Sequence, residues 1–348
     1  MWLKRLYLHN FRSYKKSQVM FAPGINVIQG ANGQGKTNLL EAIYLLSTGR
    51  SFRTAFLNDL IRHDTPGFFI EAEFERDGIE QILRISFDGQ TRKVQHNATN
   101  YSNFANLLGL LPSVLFAPHD VNLISGAPAD RRRFINLHIA QSDPLYVHHL
   151  LRFGKALKQR NCLLKAGSKQ GIDIWEAEMA LSALVLVQKR KHAVESLHSK
   201  LTPLAKALSL DADSFELNYH PSIATDFVNQ WASHRGKELI LGATQRGPHR
   251  DDLNIILSGK NAKSYSSEGQ KHSCLAALRF AEWEALQERF DDKPLLGIDD
   301  FGVHLDAGRF ATLTDRLGSF GQVFLTTPQG ANIQSDCAIT IKEGACLQ

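Results

Sequence analysis

A phosphate-binding loop near the start of the chain limits what it can fold into more than any other feature. The loop Gly30-Ala31-Asn32-Gly33-Gln34-Gly35-Lys36-Thr37 matches the pattern G-x-x-x-x-G-K-[ST] at every fixed position. A β-type run, Ile25–Gln29, precedes it, and apolar residues at helical spacing follow it. Glycines let the backbone wrap a phosphate, Lys36 reaches the outer phosphates and the Thr37 hydroxyl binds magnesium. The sequence therefore predicts an α/β core in which this loop and the next residue, Asn38, hold ATP.

The other half of an ATP site is predicted at residues 293–300, an apolar strand that ends in two carboxylates. A buried strand places its C-terminal residues at the ligand edge of a parallel sheet, so Asp299 is positioned to hold magnesium together with Thr37. Asp300 is the candidate general base for the attacking water. Lys36, Asp299 and Asp300 are therefore the predicted catalytic residues.

The tetrapeptide Ser267-Glu268-Gly269-Gln270 stands before a long helical run. Ser267 and Gln270 have the spacing of a capping box, and a plain helix cap is one interpretation. The run Ser-x-Gly-Gln also resembles the signature motif of ABC-type ATPases, in which these residues contact ATP held by the other subunit. Its place about 30 residues before the Asp-Asp strand favours the second interpretation. That interpretation implies a dimer with ATP at the interface, with Ser267, Gly269 and Gln270 as further ATP-binding residues.

The middle of the chain reads as helical. Apolar residues recur at helical spacing in two stripes, separated by a Gly-containing turn at residues 166–171. We expect an antiparallel helical arm at about 145–208. The predicted fold is an ABC-type (P-loop) ATPase head with an inserted, mainly helical second lobe. Lobe I comprises residues 1–117 with 291–348, and lobe II comprises residues 118–290.

Positive charge is concentrated in one segment. The formal net charge is +5, yet residues 131–165 hold eight Lys or Arg and one acid, a net of +7. Cations that neutralise nucleic-acid phosphates release counterions, so the segment is a DNA-binding candidate, and no motif indicates base specificity. The alternative is a solvated basic arm with some internal ion pairs. The candidate DNA contacts are Arg131, Arg132, Arg133, Arg152, Lys155, Lys158 and Arg160.

Composition excludes other classes. The 348 residues are 43% hydrophobic, as in globular proteins, and no apolar run reaches the ~18 residues of a membrane span. The N-terminus lacks a signal peptide, and the four cysteines form no C-x-x-C pair. A cytoplasmic protein without a membrane partner is expected.

Several segments resemble the RecF family, in a combination that runs nearly from end to end. They are residues 10–14, 30–46, 49–53, 130–134, 159–165 and 246–253. The resemblance implies an SMC-like head without a long coiled coil, ATP-dependent dimerisation, slow DNA-dependent ATP hydrolysis and action at single-stranded gaps or junctions. It implies RecR as a partner, RecO and RecA as pathway partners, and a role in recombinational repair, replication restart and the SOS response. It also implies that Arg12 and Asp306 contact the nucleotide.

The chain departs from the family pattern at three places. His119 and His304 stand where acids are usual, and Thr327 stands near the position of the switch histidine of ABC transporters. These departures bear on the hydrolysis rate more than on ATP binding. Two alternatives stay open: the ATPase subunit of a membrane transporter, which the missing histidine disfavours, and a scaffold that binds ATP without hydrolysing it.

Overall fold

The computed structural model describes residues 1–209, 214–302, 307–328 and 333–347. The strands of these residues are β1 (Trp2–Phe11), β2 (Tyr14–Met20), β3 (Ile25–Gln29), β4 (Phe68–Arg76), β5 (Ile79–Phe87), β6 (Arg92–His96), β7 (Thr99–Tyr101), β8 (Ser113–Phe116), β9 (Phe215–His220), β10 (Asp252–Leu257), β11 (Lys260–Asn261), β12 (Leu295–Ile298), β13 (Val323–Thr327), β14 (Cys337–Lys342) and β15 (Ala345–Leu347). Their α-helices are α1 (Lys36–Thr48), α2 (Asn122–Ser125), α3 (Pro128–Ser142), α4 (Pro144–Lys165), α5 (Ile172–Ser209), α6 (Phe227–Leu241), α7 (Ala262–Tyr265), α8 (Glu268–Phe290) and α9 (Ala307–Leu317).

A six-stranded sheet in the order β15-β14-β3-β13-β12-β8 carries the nucleotide edge. All its pairings are parallel except the one between β14 and β15. Side chains alternate between its faces: Leu295 and Phe324 join one hydrophobic core, and Leu296 and Leu325 join the other. Burial on both faces explains why β12 and the first three residues of β13 are apolar.

The core that contains Leu295 and Phe324 lies between the parallel sheet, α1 and an antiparallel sheet in the order β2-β1-β4-β5-β6-β7. The β4–β5 hairpin of the antiparallel sheet turns at Asp77 and Gly78, both with positive φ, as the Asp-Gly dipeptide predicts. The antiparallel sheet contacts the loop between β3 and α1, because the Tyr14 hydroxyl of β2 donates to the Gly35 carbonyl.

The core that contains Leu296 and Leu325 joins the opposite face of the parallel sheet to the helical region. The first predicted stripe consists of Tyr146, Leu150, Phe153, Leu157 and Leu164, and the packing of α4 against α5 buries Tyr146, Phe153 and Leu164. The second predicted stripe lies on α5 with Leu197, Leu201 and Leu204 buried, while the side chain of its last member, Leu208, lies outside the described residues. Because α5 also contacts α6, α8 and β9, the predicted arm is packed along its length and is not a free projection.

The predicted fold class, an α/β ATPase head with an inserted helical region, is confirmed. The lobe boundaries after residues 117 and 290 remain predictions. None of the helices in the described ranges combines the length and the apolarity that crossing a membrane requires.

Candidate ATP-binding site

The phosphate loop leaves β3 and enters α1 through two glycines that no other residue could replace without strain. Gly30 has φ +156°, and a Cβ there would lie 2.5 Å from the carbonyl oxygen of Ile341. Gly35 has φ +115°, and a Cβ there would lie 2.7 Å from the hydroxyl of Ser13. The buried Tyr14 hydroxyl donates to the Gly35 carbonyl at 2.9 Å. The loop is therefore shaped by β14 on one side and by the β1–β2 turn on the other.

Lys36 begins α1 and is 6% exposed. Its ammonium donates to the carbonyls of Gly30 at 2.6 Å and Ala31 at 3.1 Å, so it lies across the mouth of its own loop. The first turn of α1 contains no acidic residue, which leaves the positive end of the helix dipole uncompensated. Both features favour a polyphosphate at this helix end.

Asp299 follows β12 and meets Thr37 across the sheet edge. The Thr37 hydroxyl donates to Asp299 Oδ1 at 3.0 Å, and the Thr326 hydroxyl donates to the same oxygen at 2.7 Å. Burial raises the pKa of Asp299, and the nearby charge of Asp300 adds to this, whereas the two hydroxyl bonds oppose it. The structure thus brings together the two residues that were predicted to bind magnesium.

The donor set fits a magnesium ion of the phosphate-loop type. Such ions take one hydroxyl and one carboxylate from the protein and complete their shell with phosphate oxygens and water. Consistent with that, the described part of the chain shows no cluster of three or more His, Cys, Asp or Glu side chains that could hold a metal alone.

Asp300 has φ 54°, and its N–H donates to the Thr326 hydroxyl at 2.7 Å. Thr326 therefore bonds to both members of the carboxylate pair, a role that the sequence pattern did not indicate. Its place at the end of a buried strand was the one signal that could have pointed to it. Asp299 and Asp300 line a shallow pocket together with His272 from α8, which the sequence pattern also did not single out.

Ser267 is the N-cap of α8. Its hydroxyl accepts from the Gln270 N–H at 3.3 Å, and the Gln270 side chain accepts from the Ser267 N–H at 2.9 Å. The predicted capping box is therefore present. Ser267 is also exposed, so the same residue that begins the helix is accessible to another molecule.

Arg12 joins the β1–β2 turn to α1. Its guanidinium forms a two-pronged bond to Glu41 of α1, at 2.9 and 2.8 Å, and also donates to the Asp59 carbonyl at 2.7 Å. Glu41 is fully buried and also bonds to Arg53 and Ser51. Arg12 thus uses three of its five donors within the chain, and its contact with the nucleotide stays a prediction.

The turn after β8 links the sheet edge to α8. His119 stacks on Phe52 with ring centres 5.2 Å apart, and burial lowers its pKa. The next residue, Asp120, accepts a two-pronged bond from Arg279 of α8, at 3.0 and 2.6 Å. Arg279 also donates to Glu282 at 2.6 Å. A buried ion network therefore joins the two halves of the site.

Two of the predicted DNA contacts, Arg160 and Arg131, are buried in ion pairs and are not available to DNA in this fold. Arg160 is 0% exposed and pairs with Glu176 and Glu238, and Arg131 is 8% exposed and bonds twice to Asp252. Their charges are paired inside the protein, with two carboxylates around Arg160 and one beside Arg131. The internal ion pairs that were the alternative interpretation are present here.

The other five candidates reach the surface to different degrees. Arg133, Lys155 and Lys158 are exposed, and Arg132 and Arg152 are half-buried, with Arg152 paired to Glu178. Asp306 and His304, which were named as a nucleotide contact and a departure, lie outside the described residues. Thr327 is described and is buried at the end of β13.

A phosphate loop opposite a strand-end carboxylate, with a capped signature helix beside them, defines an SMC-like ATPase head. The family model "RecF/RecN/SMC N terminal domain" matches residues 2–340. The chain belongs to the RecF family: it is 45% identical over 338 residues to the DNA replication and repair protein RecF of Protochlamydia amoebophila, covering 94% of each chain. It is 38% identical to RecF of Chlamydia caviae, covering 92% of this chain and 90% of that one.

Solved structures agree with this assignment. The chain is similar to a "recombination mediator protein RecF-ATP in RecFOR pathway", with a TM-score of 0.93, 29% identity and coverage of 99% of this chain and 97% of that one. A Smc head bound to the C-winged helix domain of ScpA matches with a TM-score of 0.61 at 18% identity, which supports the fold alone.

Proposed function

We propose that this protein is an ATP-switched DNA-binding protein of recombinational repair. ATP binding drives two heads together, and the dimer grips DNA at single-strand gaps or junctions. The observation that carries the proposal is the 3.0 Å bond between Thr37 and Asp299, which supports a shared role of the two residues in binding magnesium and ATP. The RecF-ATP structure and the RecF relatives support the same role.

Each residue has a defined task in this proposal. The backbone of residues 30–37 binds the phosphates, Lys36 neutralises the outer ones, and Thr37 with Asp299 holds magnesium. Magnesium, when bound, supplies charge neutralisation at the phosphates. Asp300 is the candidate base that orients and deprotonates the attacking water, since it lies beside Asp299 on the ligand edge. Hydrolysis is slow and stimulated by DNA in this proposal, and it serves to reset the switch.

The second nucleotide contact comes from another copy of the chain. Ser267, Gly269 and the N-terminus of α8 bind the γ-phosphate of ATP on the partner, with Gln270 holding the cap. Exposure of Ser267 on a capped helix end supports this role. Lobe I is residues 1–117 with 291–348, and lobe II, residues 118–290, carries the signature to the interface.

The partners follow from the family. DNA is bound without base specificity through cations of lobe II, with Arg132, Arg133, Arg152, Lys155 and Lys158 as the remaining candidates. RecR is the direct protein partner in this proposal, and RecO and RecA act in the same pathway, which supports replication restart and the SOS response. The protein acts in the cytoplasm.

The test is solution mass by analytical ultracentrifugation with ATP, with ADP and without nucleotide, each with and without gapped DNA. We expect a dimer only with ATP, and tighter DNA binding by that dimer. A monomer under every condition would leave Ser267 as a helix cap and remove the proposed mechanism.

The matched variant is Lys36→Ala, which removes the phosphate-binding ammonium from an otherwise intact loop. It should abolish the ATP-dependent dimer and the release of phosphate, because the loop's main charge is gone. Equal phosphate release by the wild type and Lys36→Ala would leave an ATP-binding scaffold in place of an ATPase. Lys16→Ala, an exposed lysine of β2, serves as the control.

A further inference from the structure

A surface turn at residues 246–250 is anchored through its backbone. The Trp231 indole donates to the Arg246 carbonyl at 2.8 Å, and the Gly247 N–H donates to the Ser222 hydroxyl at 3.0 Å. The Arg250 N–H closes the turn on the Gly247 carbonyl at 2.8 Å. The main chain of this turn is therefore held in one conformation from both ends.

A buried polar network contacts the same turn on its inner side. Asp251 is 1% exposed and accepts from Arg190 and from the Ser222 N–H, each at 2.8 Å, and from the Tyr219 hydroxyl. Arg190 also donates to the Pro248 carbonyl at 2.7 Å. Buried ion pairs add little net stability because desolvation offsets their attraction. What this network does supply is a rigid base for the turn.

The turn carries two arginines, Arg246 and Arg250, and Arg132 of α3 lies close to Arg250. Burial lowers the pKa of Arg132, and the charge of Arg250 lowers it further. Arg250 is exposed, and no side chain in the described ranges forms a hydrogen bond or ion pair with its guanidinium. Arg132 of α3 donates one bond to the Asp251 carbonyl at 2.8 Å. Arg246 donates to Gln230 at 2.8 Å and contacts the His234 ring at 3.5 Å. Most of the donors on these three guanidinium groups remain available, since each guanidinium has five.

The nearby acids do not neutralise this cluster. Asp251 is engaged by Arg190, and Asp252 is engaged by Arg131. The charges also act on the neighbouring His249: burial lowers its pKa to about 4, against its bond to the Thr244 carbonyl, and Arg250 and Arg132 lower it further. Positive charges that outnumber the nearby carboxylates favour an anionic ligand.

We propose that Arg132, Arg246 and Arg250 form a preformed binding site for the phosphodiester backbone of nucleic acid. The proposal rests on the proposed function, because it places part of the DNA-binding surface at the 246–250 turn. Guanidinium groups bind phosphate oxygens with two parallel bonds, and a rigid turn reduces the entropy cost of binding. The site recognises charge and spacing, because phosphate contacts carry no base-sequence information.

The test is fluorescence anisotropy with a labelled gapped duplex, in ATP, over a series of salt concentrations. Arg246→Ala with Arg250→Ala should lower the slope of log affinity against log salt by about 0.9 for each duplex phosphate that the protein no longer neutralises. Arg250→Lys should retain most of the slope, because a point charge remains. Binding of a fluorescent ATP analogue should be unchanged within twofold in all three proteins.

Arg84→Ala is the matched control, since Arg84 is a surface arginine of β5 that is already paired with Glu71 and has no part in the proposed DNA-binding surface. An unchanged slope in the double variant, with DNA binding by the wild type intact, overturns this site and leaves the proposed function standing. Failure of the wild type to bind DNA overturns both. Displacement of the DNA by polyglutamate of equal charge, as effective as displacement by unlabelled DNA, would also reject a phosphate site, because it would show a general acid-binding surface.

Discussion

Arg160 and Lys158 show that cations of the same basic segment serve two different purposes. The guanidinium of Arg160 bonds to Glu176, contacts Glu238 at 2.7 Å and donates to the Thr244 hydroxyl at 2.8 Å. Two positions earlier, Lys158 is exposed on the same helix. The two side chains differ in environment because α5 and α6 cover one side of α4 and leave the other side in water.

We predict that Arg160→Ala destabilises the fold by about 3–5 kcal/mol, because it removes the cation that pairs with the buried Glu238 and one of the two arginines that pair with the buried Glu176. Chemical denaturation measures this change, with Lys158→Ala as the control that should stay within about 0.5 kcal/mol of the wild type. Wild-type stability in Arg160→Ala, accompanied by weaker DNA binding, would contradict the structural role and return Arg160 to the DNA-binding set.

A second prediction at this scale concerns Asp299, whose pKa is raised above the ordinary value of 3.8. A raised carboxyl pKa means that ionisation is less favourable in the folded state than in the unfolded state. The free energy of unfolding therefore falls as the pH rises through the folded pKa. Asp299→Asn should therefore stabilise the nucleotide-free, metal-free protein near neutral pH by about 0.5–2 kcal/mol while reducing ATP turnover.

Thermal unfolding measured from pH 7 downwards checks the sign of this effect. The advantage of Asp299→Asn should disappear as the pH falls towards 3.8, where the wild-type carboxyl becomes protonated in both states. A variant that is less stable than the wild type at pH 7 would show that the charge stabilises the site.

At the scale of elements, α8 joins three parts of the site. Its N-terminus carries the signature residues, its first turns place His272 beside Asp299 and Asp300, and Arg279 binds the turn after β8. The capping box explains how one short motif can start the helix and still present Ser267 outward, since only one lone pair of the hydroxyl is used by the cap.

The two roles of Ser267 can be separated by two substitutions. Ser267→Ala should cost about 0.5–2 kcal/mol of stability, because the cap is removed. Ser267→Arg should leave ATP binding by the monomer intact and block the ATP-dependent dimer, because a bulky cation stands where the partner's phosphate must approach. Ultracentrifugation and ATP-analogue binding measure the two effects.

The control for the cap is Asn261→Ala, which removes the cap of α7 away from the signature. It should reduce stability without changing the dimer. If the monomer of Ser267→Arg fails to bind ATP, then Ser267 acts within its own chain and the interface role is wrong.

At the scale of the whole molecule, the basic surplus is smaller on the surface than in the sequence. Of the eight cations in residues 131–165, Arg131 and Arg160 are buried in ion pairs, and Arg152 is paired at the surface. The remaining free charge includes Lys155 and Lys158 on the exposed side of α4. DNA binding by this surface should therefore be weaker and less salt-dependent than the sequence count implies.

We predict that Lys155→Glu with Lys158→Glu weakens duplex binding and lowers the salt slope by about 2, if each lysine meets one phosphate. The same anisotropy titration measures this, and Lys15→Glu with Lys16→Glu, on the exposed side of β2, is the matched charge change in lobe I. Equal effects of the two pairs would show a general charge effect and no DNA-binding surface on α4.

The phosphate loop, the strands β3 and β12, the β4–β5 hairpin, the capping box and the two helical stripes were all predictable, because each depends on residues close together in the chain. Local patterns of this kind record backbone preference and burial directly. Thr326, His272 and the role of Arg12 were not predictable, because each depends on a partner far away in the sequence.

The ATP-binding core, the inserted helical region and the family could therefore be predicted from the sequence, since short-range patterns and family-like segments carry that information. Which arginines are exposed to solvent and which are buried in ion pairs became known from the three-dimensional fold. The burial of a charge depends on the carboxylates that packing brings within about 4 Å of it, and that proximity arises from long-range contacts.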